Sequence, residues 1–252
     1  MIKRDELATY LDELLDCANF EDYAPNGIQV EGKAEIRKIC TAVTASLEAV
    51  TEALDHQADA LLVHHGYFWR GENPVLTGMK KERIAKLIKN NLSLYAYHLP
   101  LDCHVEFGNN ACLARLFGLS QIEKHKVGKT KDLLWTGTFE NSMTAKILST
   151  FLHQKLGREP LYIEGSDKPI RQIALCTGAA QDFIEEAYKL GVDAYLSGEI
   201  SERTYYQAKE LGIHYFACGH HATERYGIQA LGDHLASEYK LEHSFLDSSN
   251  PV

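Results

Sequence analysis

The sequence predicts an α/β fold made of two similar, interlocked α/β halves, with layered sheet and helices and a polar site collected at strand ends. Three observations lead there. Apolar runs rich in β-formers alternate with segments of helical periodicity, residue identities recur at a constant offset, and histidines and carboxylates fall where apolar runs stop.

At 252 residues the chain has room for one large or two small units, and the expected halves are 1–124 and 125–252, working as one functional unit. With 26 basic and 35 acidic residues the net charge is −9, which argues against a broad electrostatic grip on nucleic acid or an anionic membrane. Lys3, Arg4, Asp5 and Glu6 open the chain with no apolar leader and no spanning segment behind them, so a cytoplasmic protein without a membrane partner is expected. The six cysteines show no Cys-x-x-Cys spacing and are read as reduced.

Leu7, Tyr10, Leu11, Leu14 and Leu15 recur at helical spacing and predict an amphipathic helix over 5–20. Pro25-Asn26-Gly27 marks a turn ahead of Ile28 and Val30. A strand over 36–43, a helix over 47–56 with Leu47, Val50 and Leu54 on one face, and a strand from 60 form a β-α-β unit with a right-handed crossover. That last run reads Ala-Leu-Leu-Val-His-His-Gly-Tyr-Phe-Trp over 60–69. Adjacent strand residues face opposite ways, so both imidazoles reach one site only if the chain leaves the strand at His64, which Gly66 eases.

A basic helix follows over 80–90 with Ile84, Leu87 and Ile88, then a strand over 92–97 ending on His98-Leu99-Pro100-Leu101-Asp102-Cys103-His104. Pro100 speaks against a regular helix, so these polar residues are expected on a loop. A short helix over 109–117 closes the half. Segments 133–139, 144–156 and 161–164 give a second small β-α-β pattern without chemistry-bearing residues, assigned to packing or subunit contact.

At an offset of 134, Ile36-Arg37 recurs as Ile170-Arg171, Ile39 as Ile173, Glu52-Ala53 as Glu186-Ala187 and Asp59-Ala60 as Asp193-Ala194. His64-His65 then falls on Gly198-Glu199. At an offset of 122, His98 falls on His220 and Asp102 on Glu224. Any two β-α-β units share a pattern; identities at a fixed offset favour true repetition.

Four strand ends therefore carry polar groups: His64-His65, His98 with Asp102, Gly198-Glu199, and His220-His221 with Glu224. Open parallel sheets bind ligands beyond the carboxyl ends of their strands. With a helix starting just after Gly219, His220 and Glu224 at i and i+4 share a face. Any one of these histidines reads equally well as a hydrogen-bonded core or surface residue. Their convergence points to a divalent metal, for which zinc, iron, manganese and magnesium are all open. A bridging carboxylate holds two ions roughly 3.5–4 Å apart in two-metal hydrolytic sites. Cys103 beside Asp102 and Cys218 just before His220 are near enough in sequence to approach a metal, with packing the commoner role.

His64-His65-Gly66-Tyr67-Phe68-Trp69, Tyr23-Ala24-Pro25-Asn26-Gly27-Ile28-Gln29-Val30 and Gly219-His220-His221-Ala222-Thr223-Glu224-Arg225 resemble the signature segments of the Nif-three-like family in its short bacterial form. Members of that family are described as type 2 homologues of GTP cyclohydrolase I, and the resemblance spans almost the whole chain. It implies a dinuclear metal centre, two divalent ions per subunit, held by His64, His65, Asp102, His220 and Glu224, with Glu224 bridging. His98, not a ligand in the family, would orient a ligand or a substrate. The resemblance also implies a homohexamer, a toroid built as a trimer of dimers with the metal sites facing an internal cavity. Some members carry a histidine where this chain has Tyr205-Tyr206.

The functional expectation is a metal-dependent hydrolase of a nucleotide such as GTP or another small molecule, with His98 or Glu199 moving protons. No Gly-rich phosphate-cradling loop accompanies it. Alternatives are a non-enzymatic protein that binds or delivers metal or meets other proteins, and a ring associated with DNA. The last requires Lys80, Lys81, Arg83, Lys86 and Lys89 to gather on the lumen.

Overall fold

The computed structural model describes residues 1–252. They form two compact units, Met1–Gly108 with Gly227–Ser248, and Asn109–Tyr226 with Ser249–Val252. The division thus runs at 108 instead of 124, and a late segment returns to the first unit. The helix Asn109–Leu116 lends Ala111, Leu113 and Ala114 to the second core, while Ile228, Leu231 and Leu235 fill the first. An apolar stripe read along a chain does not say which sheet it covers.

In the first unit a five-stranded sheet runs in the order Glu242–Phe245, Lys38–Thr44, Ala60–His65, Ser93–Ala96, Gly27–Val30, parallel except for the last strand. Alternation feeds two cores, as expected of strands covered on both faces. Cys40, Ala42, Leu61 and Val63 face the helices Leu47–Asp55 and Gly78–Lys89; Ile39, Val43 and Leu62 face Leu7, Leu11, Ile228 and Leu231. The opening helix stops at Leu14, short of the expected 20, because Asp16 takes a left-handed backbone (φ 54°) before a 3-10 turn over Cys17–Asn19.

The helix Leu47–Asp55 starts where Ser46 accepts from the Ala49 amide at 3.0 Å. It buries Ala49, Val50 and Ala53 and packs Leu54 against the same core, so the expected face holds at Val50 and Leu54 while Leu47 stays exposed. Small side chains let the helix sit close on the sheet. In Gly78–Lys89, Ile84 and Leu87 are buried and Ile88 is exposed. Lys80 pairs with Glu72 at 3.2 Å and Lys86 donates to Thr51 at 2.7 Å, so part of this basic run is spent inside the unit.

Two expectations at the strand ends are corrected. The third strand continues through His65, paired with Thr44, yet the rings of His64 and His65 still approach with centroids 4.5 Å apart. The segment after His98 is a short helix, Leu99–Cys103, because Pro100 occupies its first turn, where no intrahelical amide bond is lost.

The second unit has a six-stranded sheet in the order Ser120–Val127, Thr130–Met143, Ile170–Cys176, Ala194–Ser197, His214–Ala217, Leu161–Ile163. The central three strands are parallel, and the outer ones antiparallel. The segments 133–139 and 161–164 therefore do not pair through a crossover: the first belongs to a long hairpin and the second closes the opposite edge. Ile173, Leu175, Leu196 and Phe216 pack under the helices Asn109–Leu116 and Ala145–Leu156.

One piece of wiring recurs at the offset of 134. Asp59 Oδ2 accepts from the amides of Arg37 and Lys38 at 2.8 and 3.0 Å, and Asp193 Oδ2 accepts from those of Arg171 and Gln172, both at 2.9 Å. Ala60 pairs with Ser93 and Ala194 with His214, so the next strand recurs at 121 and His98 corresponds to Gly219 in register, one residue before His220.

Burial opposes ionisation of Asp59, but Lys33 at 2.6 Å and the two amides outweigh it and hold the carboxyl below its ordinary range. Asp59→Ala is expected to lower stability by about 1–3 kcal/mol in urea unfolding at neutral pH. A depressed carboxylate stabilises above its unfolded pKa, so the deficit shrinks as pH falls below about 4. No helix is long and apolar enough to cross a membrane, and all six cysteines are free thiols.

Candidate metal centre

In the first unit, the strand Ala60–His65 delivers His64 and His65, and the chain leaving Ser93–Ala96 delivers His98 and then Asp102 on the short helix. His64 is fully buried and its Nδ1 donates to the Tyr97 carbonyl at 2.9 Å, which fixes the tautomer and turns Nε2 toward Asp102 Oδ1, 3.5 Å away. His65 Nδ1 shares a hydrogen bond of 3.2 Å with the Thr44 hydroxyl. His98 Nδ1 donates to Asp22 Oδ1 at 2.7 Å. His64, His65 and His98 each offer one ring nitrogen within 4.8 Å of the others, close enough to hold a metal ion.

Asp22 is not among the candidate residues read from the sequence. It also accepts from the amides of Tyr23 and Leu99, at 2.6 and 2.9 Å, and from Asn26 Nδ2 at 3.0 Å, while Asn26 Oδ1 takes the His98 amide at 2.8 Å. Burial would push this carboxyl up, but His98, Asn26 and the Tyr23 amide bring it down to about 2. The Asp-x-x-x-Asn spacing ahead of Gly27 is the one available signal.

In the second unit, Glu199 follows the strand Ala194–Ser197, and His220 begins the helix His220–Tyr239 after His214–Ala217. His220 Nδ1 donates to Glu199 Oε1 at 2.6 Å, and its Nε2 lies 3.1 Å from Glu224 Oε2, one turn along. Burial disfavours the charged imidazole, but Glu224 and Glu199 overcome this and raise it to about 9. Glu224 and Asp102 are both buried, as carboxylates are when paired or ligating. His221 is buried as well, its amide donating to the Val252 carbonyl at 2.9 Å.

Three glycines end three neighbouring strands of this unit. Gly198 donates to the Gly178 carbonyl at 2.9 Å and Gly219 to the Gly198 carbonyl at 2.8 Å. A Cβ on Gly178 would stand 2.2 Å from Glu224 Oε1 and 3.2 Å from His220 Nε2. The backbone is kept bare where these two side chains lie. Imidazole nitrogens, carboxylate oxygens and a cradle without side chains together fit a divalent cation.

Glu199 holds His220 by Nδ1, opposite the Nε2 that faces Glu224, which is the usual arrangement behind a metal-bound histidine. Glu199→Gln is expected to weaken metal binding about 10- to 100-fold in competition with a chelating dye. Cys103 and Cys218 are buried thiols, and burial pushes Cys218 up to about 12, which suits packing. Tyr205 and Tyr206 are exposed on the helix Glu202–Leu211.

The model of the family described as Duf34/NIF3 (NGG1p interacting factor 3) matches residues 2–251. A GTP cyclohydrolase 1 type 2 homolog from Vibrio cholerae serotype O1 is 49% identical over 249 residues, spanning 98% of each chain. Two solved structures superpose over 100% of both chains: protein ybgI, of unknown function, at 44% identity and TM-score 0.95, and TTHA1606 from Thermus thermophilus at 34% and 0.90. Family model, curated relative and solved folds all run the length of both units, and the chain belongs to the Duf34/NIF3 family.

Proposed function

We propose that this chain binds two divalent ions per subunit through His64, His65, Asp102, His220 and Glu224, with Glu224 bridging, and acts as a metal-dependent hydrolase of a small molecule. One observation carries the reading and occurs in both units: a histidine anchored at Nδ1 by an oxygen turns Nε2 to a buried carboxylate. His64 does so toward Asp102 at 3.5 Å and His220 toward Glu224 at 3.1 Å. When bound, such ions supply Lewis acidity and lower the pKa of water. Around them, His98 is held by Asp22 and His220 by Glu199, which orients both rings for contact with a ligand or substrate.

The name carried by the curated relatives makes GTP the first substrate to try. Elemental analysis of protein purified without added metal is expected to give about two divalent ions per chain, and GTP or a panel of nucleotides and cyclic amides is expected to be opened or hydrolysed. Metal retained without turnover of any of them overturns the hydrolase and leaves a metal-binding protein. No metal overturns the centre itself.

We also infer the homohexameric toroid of the family resemblance. Val75, Leu76 and Met79, between 49% and 63% exposed, are apolar surface of the kind that self-association covers. Light scattering is expected to report six chain masses, and a monomer would refute it.

A further inference from the structure

Two loops of the first unit are stapled together beside His98. The Tyr67 amide donates to Gln29 Oε1 at 2.6 Å, and Gln29 Nε2 donates back to the carbonyls of Tyr67 and Pro25 at 3.0 and 2.9 Å. The Arg70 amide donates to the Tyr23 carbonyl and Arg70 Nη2 to the Asp22 carbonyl, both at 2.7 Å. Gly66 makes this closeness possible, since a Cβ there would stand 2.2 Å from Gln29 Oε1. Phe68 meanwhile holds a left-handed backbone (φ 66°), a strain that persists where surrounding structure enforces it.

What the stapling fixes in place is a pair of aromatic rings. Trp69, its indole N–H donating to the Gly66 carbonyl at 3.2 Å, stands with its ring centroid 5.0 Å from that of His98, nearly perpendicular at 84°, and 6.0 Å from His65. Tyr23 lies on the other loop, 6.4 Å from His98 and tilted by 65°. Its amide is tied to Asp22 and its carbonyl to Arg70, yet 60% of the residue remains exposed. Neither ring belongs to an apolar core of the unit. A fixed backbone carrying an uncovered ring beside a histidine cluster is the form of a recognition surface, because Tyr and Trp offer wide contact for little conformational entropy.

We propose that Tyr23 and Trp69 form an aromatic wall that stacks a planar, conjugated ring of the substrate and brings its reacting bond to His64, His65 and His98. This names a substrate class for the site and rests on the reading of that cluster as the reacting centre. Stacking accepts any conjugated ring and rewards aliphatic molecules little, so the wall selects heteroaromatic compounds over sugars and simple esters.

Trp135, the second indole of the chain, is buried in the other unit, so Trp135→Phe leaves Trp69 as the sole tryptophan reporter. In that background, titration with adenosine, a pterin and lumichrome is expected to quench Trp69 fluorescence saturably after correction for absorbance, and ribose 5-phosphate is expected not to. Tyr23→Ala should weaken the binding about 10-fold, and Tyr23→Phe, which keeps the ring, should change it less than about two-fold. Absence of saturable quenching by every planar compound, equal quenching by ribose 5-phosphate, or unchanged binding in Tyr23→Ala would overturn the wall. Metal content measured on the same samples reads the centre separately: a metal-loaded chain that fails to stack refutes the wall alone.

Discussion

Glu224→Gln is expected to take the purified chain from about two divalent ions to fewer than one, the largest loss from any single proposed ligand, because under the proposed function Glu224 would serve both ions. The amide keeps the shape of the side chain and removes its charge. Glu224 is 2% exposed and lies 3.1 Å from His220 Nε2. A carboxamide oxygen is a far weaker ligand than a carboxylate, so affinity is expected to drop by about 100-fold, the upper end of the effects seen when metal-site partners are altered. The check is elemental analysis alongside urea unfolding in excess chelator. With metal removed from both proteins, the variant should still unfold cooperatively, about 1–3 kcal/mol less stable than the parent at neutral pH because the buried His220–Glu224 pair has lost its negative partner. Retention of two ions in the variant would take Glu224 out of the centre.

The second large effect comes from a residue with no side chain. Gly178→Ala places a methyl 2.2 Å from Glu224 Oε1, in a backbone conformation (φ +70°) that L-residues resist. Part of its cost is that strain, about 1 kcal/mol, and Gly212→Ala isolates it: Gly212 has φ +71° and nothing within 4 Å of the added atom. The rest is displacement of Glu224. Gly178→Ala is therefore expected to lose about 2–4 kcal/mol of stability and at least about tenfold in metal affinity, while Gly212→Ala loses only the smaller stability increment and binds metal normally. Equal behaviour of the two variants in a metal competition assay would show that the cradle has no role in holding the carboxylate.

The strand ends are legible in the sequence because an apolar run that halts on histidine or carboxylate is a local event. Ala60–His65, His98 with Asp102, and His220 with Glu224 can all be located that way. The groups that orient them cannot. Tyr97 contributes a carbonyl, Thr44 sits 21 residues from His65, and Asp22 sits 76 from His98, so each depends on sheet register or loop closure. Pro100 misleads because a breaker of helix interiors is welcome in a first turn. The buried face of Leu47–Asp55 misleads only at its start: Val50 and Leu54 meet the core as read, but Leu47 is exposed and Ala49 and Ala53 are buried beside them. The boundary at 108 is hidden for a related reason: a segment that crosses to another core carries no mark of doing so.

Gly178, Gly198 and Gly219 carry a further consequence, for any effort to give this scaffold a new reaction. Their row of bonded amides forms a floor that resists side chains: a Cβ on Gly198 would stand 2.6 Å from the Gly178 carbonyl, and at Gly219 the backbone itself (φ +95°) opposes one. Libraries aimed at changing selectivity will waste every codon spent there. Diversity belongs instead on exposed side chains such as Tyr23, where an exchanged ring leaves the glycine backbone untouched.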